Sequence, residues 1–268
     1  MLKVFTCAFS TCKTAKLQTT YLPRAFYPLK RSPWRVAFWV VLSVLVLLIA
    51  FGADAPVGRV VTVGSSTLLS LLAGCFSKAG EGWVVALAGT TASFFLFWRR
   101  RFEASRAVFL VAMTGLLTGA AATIVRSLLG RTRPNSHELQ GFYGIWHDSH
   151  CIIGKYEFGA FPSGHAATVI GLATAAWLID RRLGVLTTVY AVLVTWARIA
   201  MGCHHFSDAV ASAILGIYGA HLVLARLGPS VYCFGEYLQN AWLGRKGTPS
   251  QVPNHKRDEP HGQSGALS

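Results

Sequence analysis

The sequence predicts an all-α fold: a polytopic membrane helix bundle with six transmembrane helices and an outer interfacial helix. Three observations carry this. Only 13% of the residues are charged, where a soluble domain carries about 25%. Mean hydropathy is positive, at +0.44. The apolar residues also gather into runs close to the roughly 20 that a helix needs to cross a bilayer core.

The first run covers 36–53 and the second 82–98. The third, 106–129, is rich in Gly, Ala and Thr, as helices packed closely against other helices are. The fourth, 163–179, follows Pro162, and the fifth and sixth cover 183–200 and 207–227. The stretch 57–76 is apolar enough to be a seventh span. Gly64, Ser65, Ser66 and Ser70 dilute it, however, and Leu68, Leu69, Leu72 and Phe76 repeat at helical spacing, so a helix lying in the outer interface is the better reading. Around these runs the chain divides into a basic cytoplasmic segment (1–35), a six-span domain (36–228) and a cytoplasmic tail (229–268). The tail is rich in Gly, Pro, Ser and His and is expected to be largely disordered from about 244. The first 35 residues lack the short apolar core of a cleavable signal peptide.

Charge orients the bundle, because Lys and Arg accumulate on the cytoplasmic side. With six spans and both termini inside, 18 of the 25 basic residues fall inside. A seventh span would invert this and place Arg99, Arg100 and Arg101 outside. The expected location is a bacterial inner membrane. The net charge of +14 is accounted for by this bias, and no aromatic-interleaved basic stripe points to nucleic acid. Against the bias, Arg126, Arg131, Arg133 and Arg198 cluster at the outer ends of the third and fifth spans.

The topology gathers four clusters on that outer face: Arg126-x6-Arg133-Pro134, then Phe161-Pro162-Ser163-Gly164-His165, then Arg198-x5-His204, then Asp208. A phosphate monoester carries up to two negative charges, and its transfer is catalysed mainly by positioning and charge stabilisation. Arg126, Arg133 and Arg198 offer planar guanidinium forks that pair with phosphate oxygens and stay charged. Ser163 and Gly164 open a helix whose free N–H groups and positive dipole end suit an anion. His204 and Asp208, four residues apart, share a helix face if the segment is helical. A carboxylate taking the Nδ1 proton would then leave Nε2 free to attack phosphorus. His165 would protonate the departing alkoxide and later serve as base for water. This chemistry requires no metal and no cofactor, because the arginines meet the charge that a metal would.

These elements resemble the signature of the type 2 phosphatidic acid phosphatase superfamily, which includes vanadium haloperoxidases and bacterial acid phosphatases. The family pattern is Lys-x6-Arg-Pro, Pro-Ser-Gly-His and Ser-Arg-x5-His-x3-Asp. The resemblance implies functional roles for Arg133, Ser163, Gly164, His165, Arg198, His204 and Asp208. Arg126 stands where the family has lysine, keeping the charge but changing its shape. Ala197 stands where it has serine.

The resulting expectation is a membrane phosphatase acting through a phosphohistidine on a lipid phosphate or pyrophosphate. Undecaprenyl pyrophosphate, lipid A, phosphatidate and phosphatidylglycerophosphate are all chemically acceptable, the first two ranked ahead because the site faces outward. A lipid phosphotransferase would carry the same motifs. An anion transporter would place charges near the membrane midplane, and a non-catalytic lipid-binding module would not need His165, His204 and Asp208 intact. Partners beyond substrate and membrane lipids are not implied, and the oligomeric state is left open. His205 reads as a neighbour without chemistry. His147-x2-His150-Cys151 lacks a fourth metal ligand at recognisable spacing and reads as a substrate-contacting loop. Phe142, Tyr143, Trp146, Tyr156 and Phe158 read as an interfacial belt and packing beneath that loop. The six cysteines show no C-x2-C spacing. One outer disulfide is admissible among Cys75, Cys151 and Cys203, with Cys151–Cys203 the favoured pair.

Overall fold

A computed structural model describes residues 32–62, 64 and 68–244; the expectations for the first 31 residues and for the tail beyond 244 lie outside them. Seven α-helices follow in order: α1 (Pro33–Val61), α2 (Leu68–Ala79), α3 (Gly82–Trp98), α4 (Phe102–Leu129), α5 (Gly164–Ile179), α6 (Arg181–Ala200) and α7 (Phe206–Trp242). Between α4 and α5 a long loop carries a small antiparallel hairpin, β1 (Trp146–His147) with β2 (His150–Cys151), and a 3-10 turn at Tyr156–Phe158.

Four helices, α1, α4, α6 and α7, are long and apolar enough to cross a membrane, and the pair α2–α3, bent by 62°, qualifies as a fifth span. The chain is a multi-pass membrane protein. Helix α5, with 16 residues, is shorter than a free-standing span, and the expected count of six requires it. Two expected boundaries move. The interfacial segment 57–76 does not form one helix: its first residues continue α1 to Val61, and only Leu68 onward forms α2. The sixth run does not stop at 227 but continues through Pro229 to Trp242.

Helix α5 lies at the centre, packed against α4, α6 and α7. Its composition explains this: Ala166, Ala167, Ala173, Ala175 and Ala176 are buried and present almost no side chain to keep neighbours apart. Between apolar helices in lipid, association rests on close packing and interhelical hydrogen bonds rather than on the hydrophobic effect. Gly115 on α4 makes the closest approach feasible, since a Cβ there would stand 2.7 Å from the Thr168 carbonyl oxygen. Nearby, the Thr118 hydroxyl donates to the Ala167 carbonyl at 2.9 Å. On α7 the buried residues Ser212, Gly216, Ala220, Leu224, Gly228 and Tyr232 recur every fourth position, a single stripe turned inward. Helix α1, by contrast, leaves most of its apolar surface exposed and packs mainly on α7.

Local chemistry ends the helices where the site begins. Gly130, in the left-handed region at φ 57°, terminates α4 and returns its N–H to the Arg126 carbonyl. Ser163 caps α5 by accepting from the Ala166 N–H at 3.4 Å. A single extended residue, Asp180, separates α5 from α6 and caps the latter through the Leu183 N–H at 2.8 Å.

Candidate active site

Every residue singled out from the sequence motifs stands at one end of the bundle. Arg126 occupies the last turn of α4, Arg198 the last turn of α6, and Gly164 and His165 the first turn of α5. His204 lies in the turn between α6 and α7, and Asp208 in the first turn of α7. Arg133 is brought in by the α4–α5 loop, whose backbone folds back on itself through Arg133 N–H to the Glu157 carbonyl (2.9 Å) and Ala160 N–H to the Arg131 carbonyl (3.0 Å).

The three predicted phosphate arginines are held differently. Arg133 is 4% exposed. Its Nε donates to the Tyr156 carbonyl at 2.6 Å and an Nη to the Cys203 carbonyl at 3.2 Å, and the guanidinium stacks on the Tyr156 ring at 3.8 Å. Arg198 donates to the Ser77 hydroxyl at 2.7 Å, while its buried Nε has no partner among the described residues. Arg126 borders Gly164, where a Cβ would stand 3.7 Å from its Nη1. Among the described residues no carboxylate forms an ion pair with any of the three. Arg126 and Arg133 line a cavity of about 180 Å³ with Lys155, Tyr156 and Gly159.

His204 is 1% exposed. Its Nδ1 lies 2.8 Å from the Ala160 carbonyl oxygen, which only accepts, so Nδ1 carries the proton and Nε2 of the neutral ring keeps its lone pair. Nε2 has no partner among the described residues. This corrects one sequence expectation: the backbone of Ala160, not the Asp208 carboxylate, takes the Nδ1 proton, and Asp208 Oδ2 stands 3.7 Å away. The reason is that His204 precedes the helix. Helix α7 starts at Phe206, and Asp208 reaches back to cap the His205 N–H at 2.7 Å. Burial, followed by the charges of Arg198 and Arg133, holds the His204 imidazole well below its usual pKa, partly offset by the Ala160 hydrogen bond. A neutral, oriented, partnerless Nε2 facing three cations is suited to attack an anionic electrophile.

Ser163 is buried with its hydroxyl engaged as the α5 cap. The Ser212 hydroxyl bridges the Ser163 and Asp208 carbonyls at 2.9 and 2.6 Å, tying α5 to α7. His205 bonds the Thr132 carbonyl at 3.3 Å.

Beside these stands a second group, in which the sequence marked Arg131 as an outer-face arginine without a role and gave no part to Asp54. Arg131, only 8% exposed, donates to Asp208 Oδ1 (2.5 Å), the Ser207 hydroxyl (2.6 Å) and Asp54 Oδ2 (2.8 Å). Asp54, on α1, also accepts from the Ser207 N–H and hydroxyl, each at 2.7 Å. Phe51, Phe142 and Phe161 surround the guanidinium, with ring centroids 4.9–5.7 Å away. The available signal was Asp54 itself, a lone carboxylate between the apolar stretches 36–53 and 57–76, where an ionisable residue calls for a partner. A cavity of about 600 Å³ opens between Asp54, Arg59, Arg131, Phe142, His204 and His205.

The α4–α5 loop departs from expectation in two ways. Cys151 and Cys203 are both free thiols; Cys151 is exposed on β2 while Cys203 is buried and near the Tyr156 hydroxyl. Of the aromatic belt, Phe142 and Tyr156 face cations instead, and Tyr143 and Phe158 pack around His147, itself 3.4 Å from Asp148.

Comparison with known proteins follows the same residues. Residues 104–230 match the model of the PAP2 superfamily. A lipid A 1-phosphatase of Rhizobium johnstonii is 30% identical over 118 residues, covering 43% of this chain and 47% of that protein, so the match spans about half the relative's length. A probable lipid phosphate phosphatase 4 of Arabidopsis thaliana is 25% identical over 243 residues, 77% of this chain and 78% of that protein. Among solved structures, Aquifex aeolicus LpxE is 21% identical and covers 64% of this chain and 94% of its own, with a TM-score of 0.46. Arg126, Arg133, Ser163–His165, Arg198, His204 and Asp208 all lie within the matched segment, and over that segment, just under half of its length, the chain is similar to the PAP2 superfamily.

Proposed function

We propose that this chain is an integral membrane phosphatase that hydrolyses a lipid phosphate or pyrophosphate through a phosphohistidine. The observation that carries the reading is the His204 ring: Nδ1 pinned to a carbonyl, Nε2 buried and without a partner among the described residues, and three nearby arginines that form no carboxylate ion pair there. Nε2 attacks phosphorus, Arg126, Arg133 and Arg198 bind the equatorial oxygens, and the α5 N-terminus at Ser163–Gly164 adds backbone donors. The lipid alkoxide leaves with a proton from His165, on the first turn of α5. Water then attacks the phosphohistidine, giving its proton to His165 and releasing phosphate and a free His204. The arginine cluster supplies the positive charge that a metal would otherwise bring, so turnover is expected to proceed in a chelator.

The substrate reading leans on the relatives, of which one is a lipid A 1-phosphatase and another a probable lipid phosphate phosphatase. A lipid A-type or polyprenyl substrate in the outer leaflet of a bacterial inner membrane fits best. The charge bias supports both termini, and the basic turn Arg99–Arg101, on the cytoplasmic side. The test is phosphate release by the purified, detergent-solubilised protein from a panel of lipid phosphates in EDTA, with acid-labile phosphate trapped on His204. Activity that disappears on chelation, or survives in His204→Ala, would overturn the mechanism. Release that requires an added acceptor lipid would make the enzyme a phosphotransferase instead.

A further inference from the structure

We infer that Asp54, on α1, is a positioning residue for the proposed phosphoryl transfer, supplying through Arg131 the negative charge that Asp208 presents to His204. The inference rests on the lipid phosphatase reading above. Arg131 carries one positive charge and is clasped by two carboxylates, Asp208 at 2.5 Å and Asp54 at 2.8 Å. Two carboxylates and one guanidinium in mutual contact sum to a net charge of −1. Asp208 is fully buried, so the charge is little screened, and its Oδ2 lies 3.7 Å from His204 Nδ1.

The charges that depress the His204 imidazole are Arg198 from α6, Arg133 from the loop and Arg126 from α4, and His165 from α5 couples to it as well; Cys203 and His205 flank it in the chain. None of these brings negative charge. When Nε2 bonds to phosphorus the ring becomes cationic, and the surplus charge on the Asp54–Arg131–Asp208 group is the counter-charge at its far nitrogen. Without Asp54 the Arg131–Asp208 pair is neutral and that counter-charge is gone. The Ser207 N–H and hydroxyl, both bonded to Asp54, keep the clasp in register with α7.

The test is Asp54→Asn, which keeps the size of the side chain and removes its charge, assayed in the full-length solubilised protein. The expected result is a kcat lower by about tenfold with KM within about twofold, and an acid limb of the kcat/KM profile displaced to lower pH. In an Asp208→Asn background the same change is expected to add no more than about twofold, because both residues act through one charge. A purely structural role would not move the acid limb and would add its full loss in that background; either result overturns the inference. If Asp54→Asn does not fold, Asp54→Glu decides: a wild-type acid limb supports the inference and a displaced one overturns it. An active wild type with an unaffected Asp54→Asn overturns this inference alone. A wild type that releases no phosphate from any lipid overturns the phosphatase reading and this inference with it.

Discussion

Arg131 and Arg133 are two positions apart on the same loop, both almost fully buried, yet they belong to opposite kinds of environment. Arg131 is enclosed by Asp54, Asp208, Ser207 and three phenylalanine rings. Arg133 is hydrogen-bonded to carbonyl oxygens and stacked on a tyrosine face, forms no carboxylate ion pair among the described residues, and shares its surroundings with Arg126 and Arg198. Alternate loop positions point to opposite sides, so one arginine enters the clasp that joins α1 to α7 and the other enters the pocket around His204. The difference teaches which buried cations are scaffolding. A charge with its counter-charges in place is satisfied by the fold, whereas a cluster of like charges without carboxylates awaits an anion from outside.

Changes on the two sides should therefore separate activity from stability. The largest effect is expected from His204→Ala, which should lower kcat by about four orders of magnitude or more, read as phosphate release from a lipid phosphate. The folded protein should persist. Next comes Arg131→Ala, which leaves the buried Asp208 and the half-buried Asp54 without a cation and should destabilise the fold by about 3–5 kcal/mol, read as thermal unfolding in detergent. Arg126→Ala, on the pocket side, should lower kcat/KM by about 10²–10³-fold while the unfolding temperature stays level or rises as repulsion with Arg133 and Arg198 is relieved. An Arg126→Ala protein as unstable as Arg131→Ala would break the distinction between the two regions.

The smallest effect concerns pH. Burial and the arginines depress the His204 pKa, and burial followed by Arg131 depresses that of His205. Above about pH 6.5 both rings are neutral, folded or unfolded, and add no pH dependence. As pH falls below that value the unfolded rings take up protons that the native ones refuse, so stability declines. The unfolding temperature should drop on acidification from pH 7 to 5, and less so in His204→Gln. Equal acid sensitivity in the two proteins would show that His204 is not the group responsible.

Much of this site was legible in the sequence because its residues sit at helix ends, where a change in hydropathy marks the boundary. Arg126, His165, Arg198 and Asp208 each fall within a turn of a span terminus, so apolar runs of bilayer length bring them to a common depth. The roles of individual contacts were less legible. Sequence spacing paired His204 with Asp208 as though both were helical, but α7 begins at Phe206 and the Ala160 carbonyl reaches Nδ1 first. The Arg131–Asp54 contact joins residues 77 positions apart across a loop with no periodicity to read. The helix expected over 57–76 forms only from Leu68 onward, because the boundary at Val61 leaves no mark in an apolar stretch. The Cys151–Cys203 pairing failed because the hairpin keeps Cys151 at the surface while Cys203 turns inward.

The sequence by itself determined that the chain is a membrane bundle and which end of it holds the arginines and histidines. Both follow from one-dimensional quantities, the length of an apolar run and the position of charges relative to its ends, which the bilayer converts directly into depth. Only the tertiary structure decided which groups touch at that depth: that a carbonyl orients His204, that Asp208 faces Arg131, and that α1 enters the site through Asp54. Those outcomes depend on lateral helix packing and on the path of the α4–α5 loop. At a shared depth, many pairs of polar groups are equally near in principle, and only close packing selects among them.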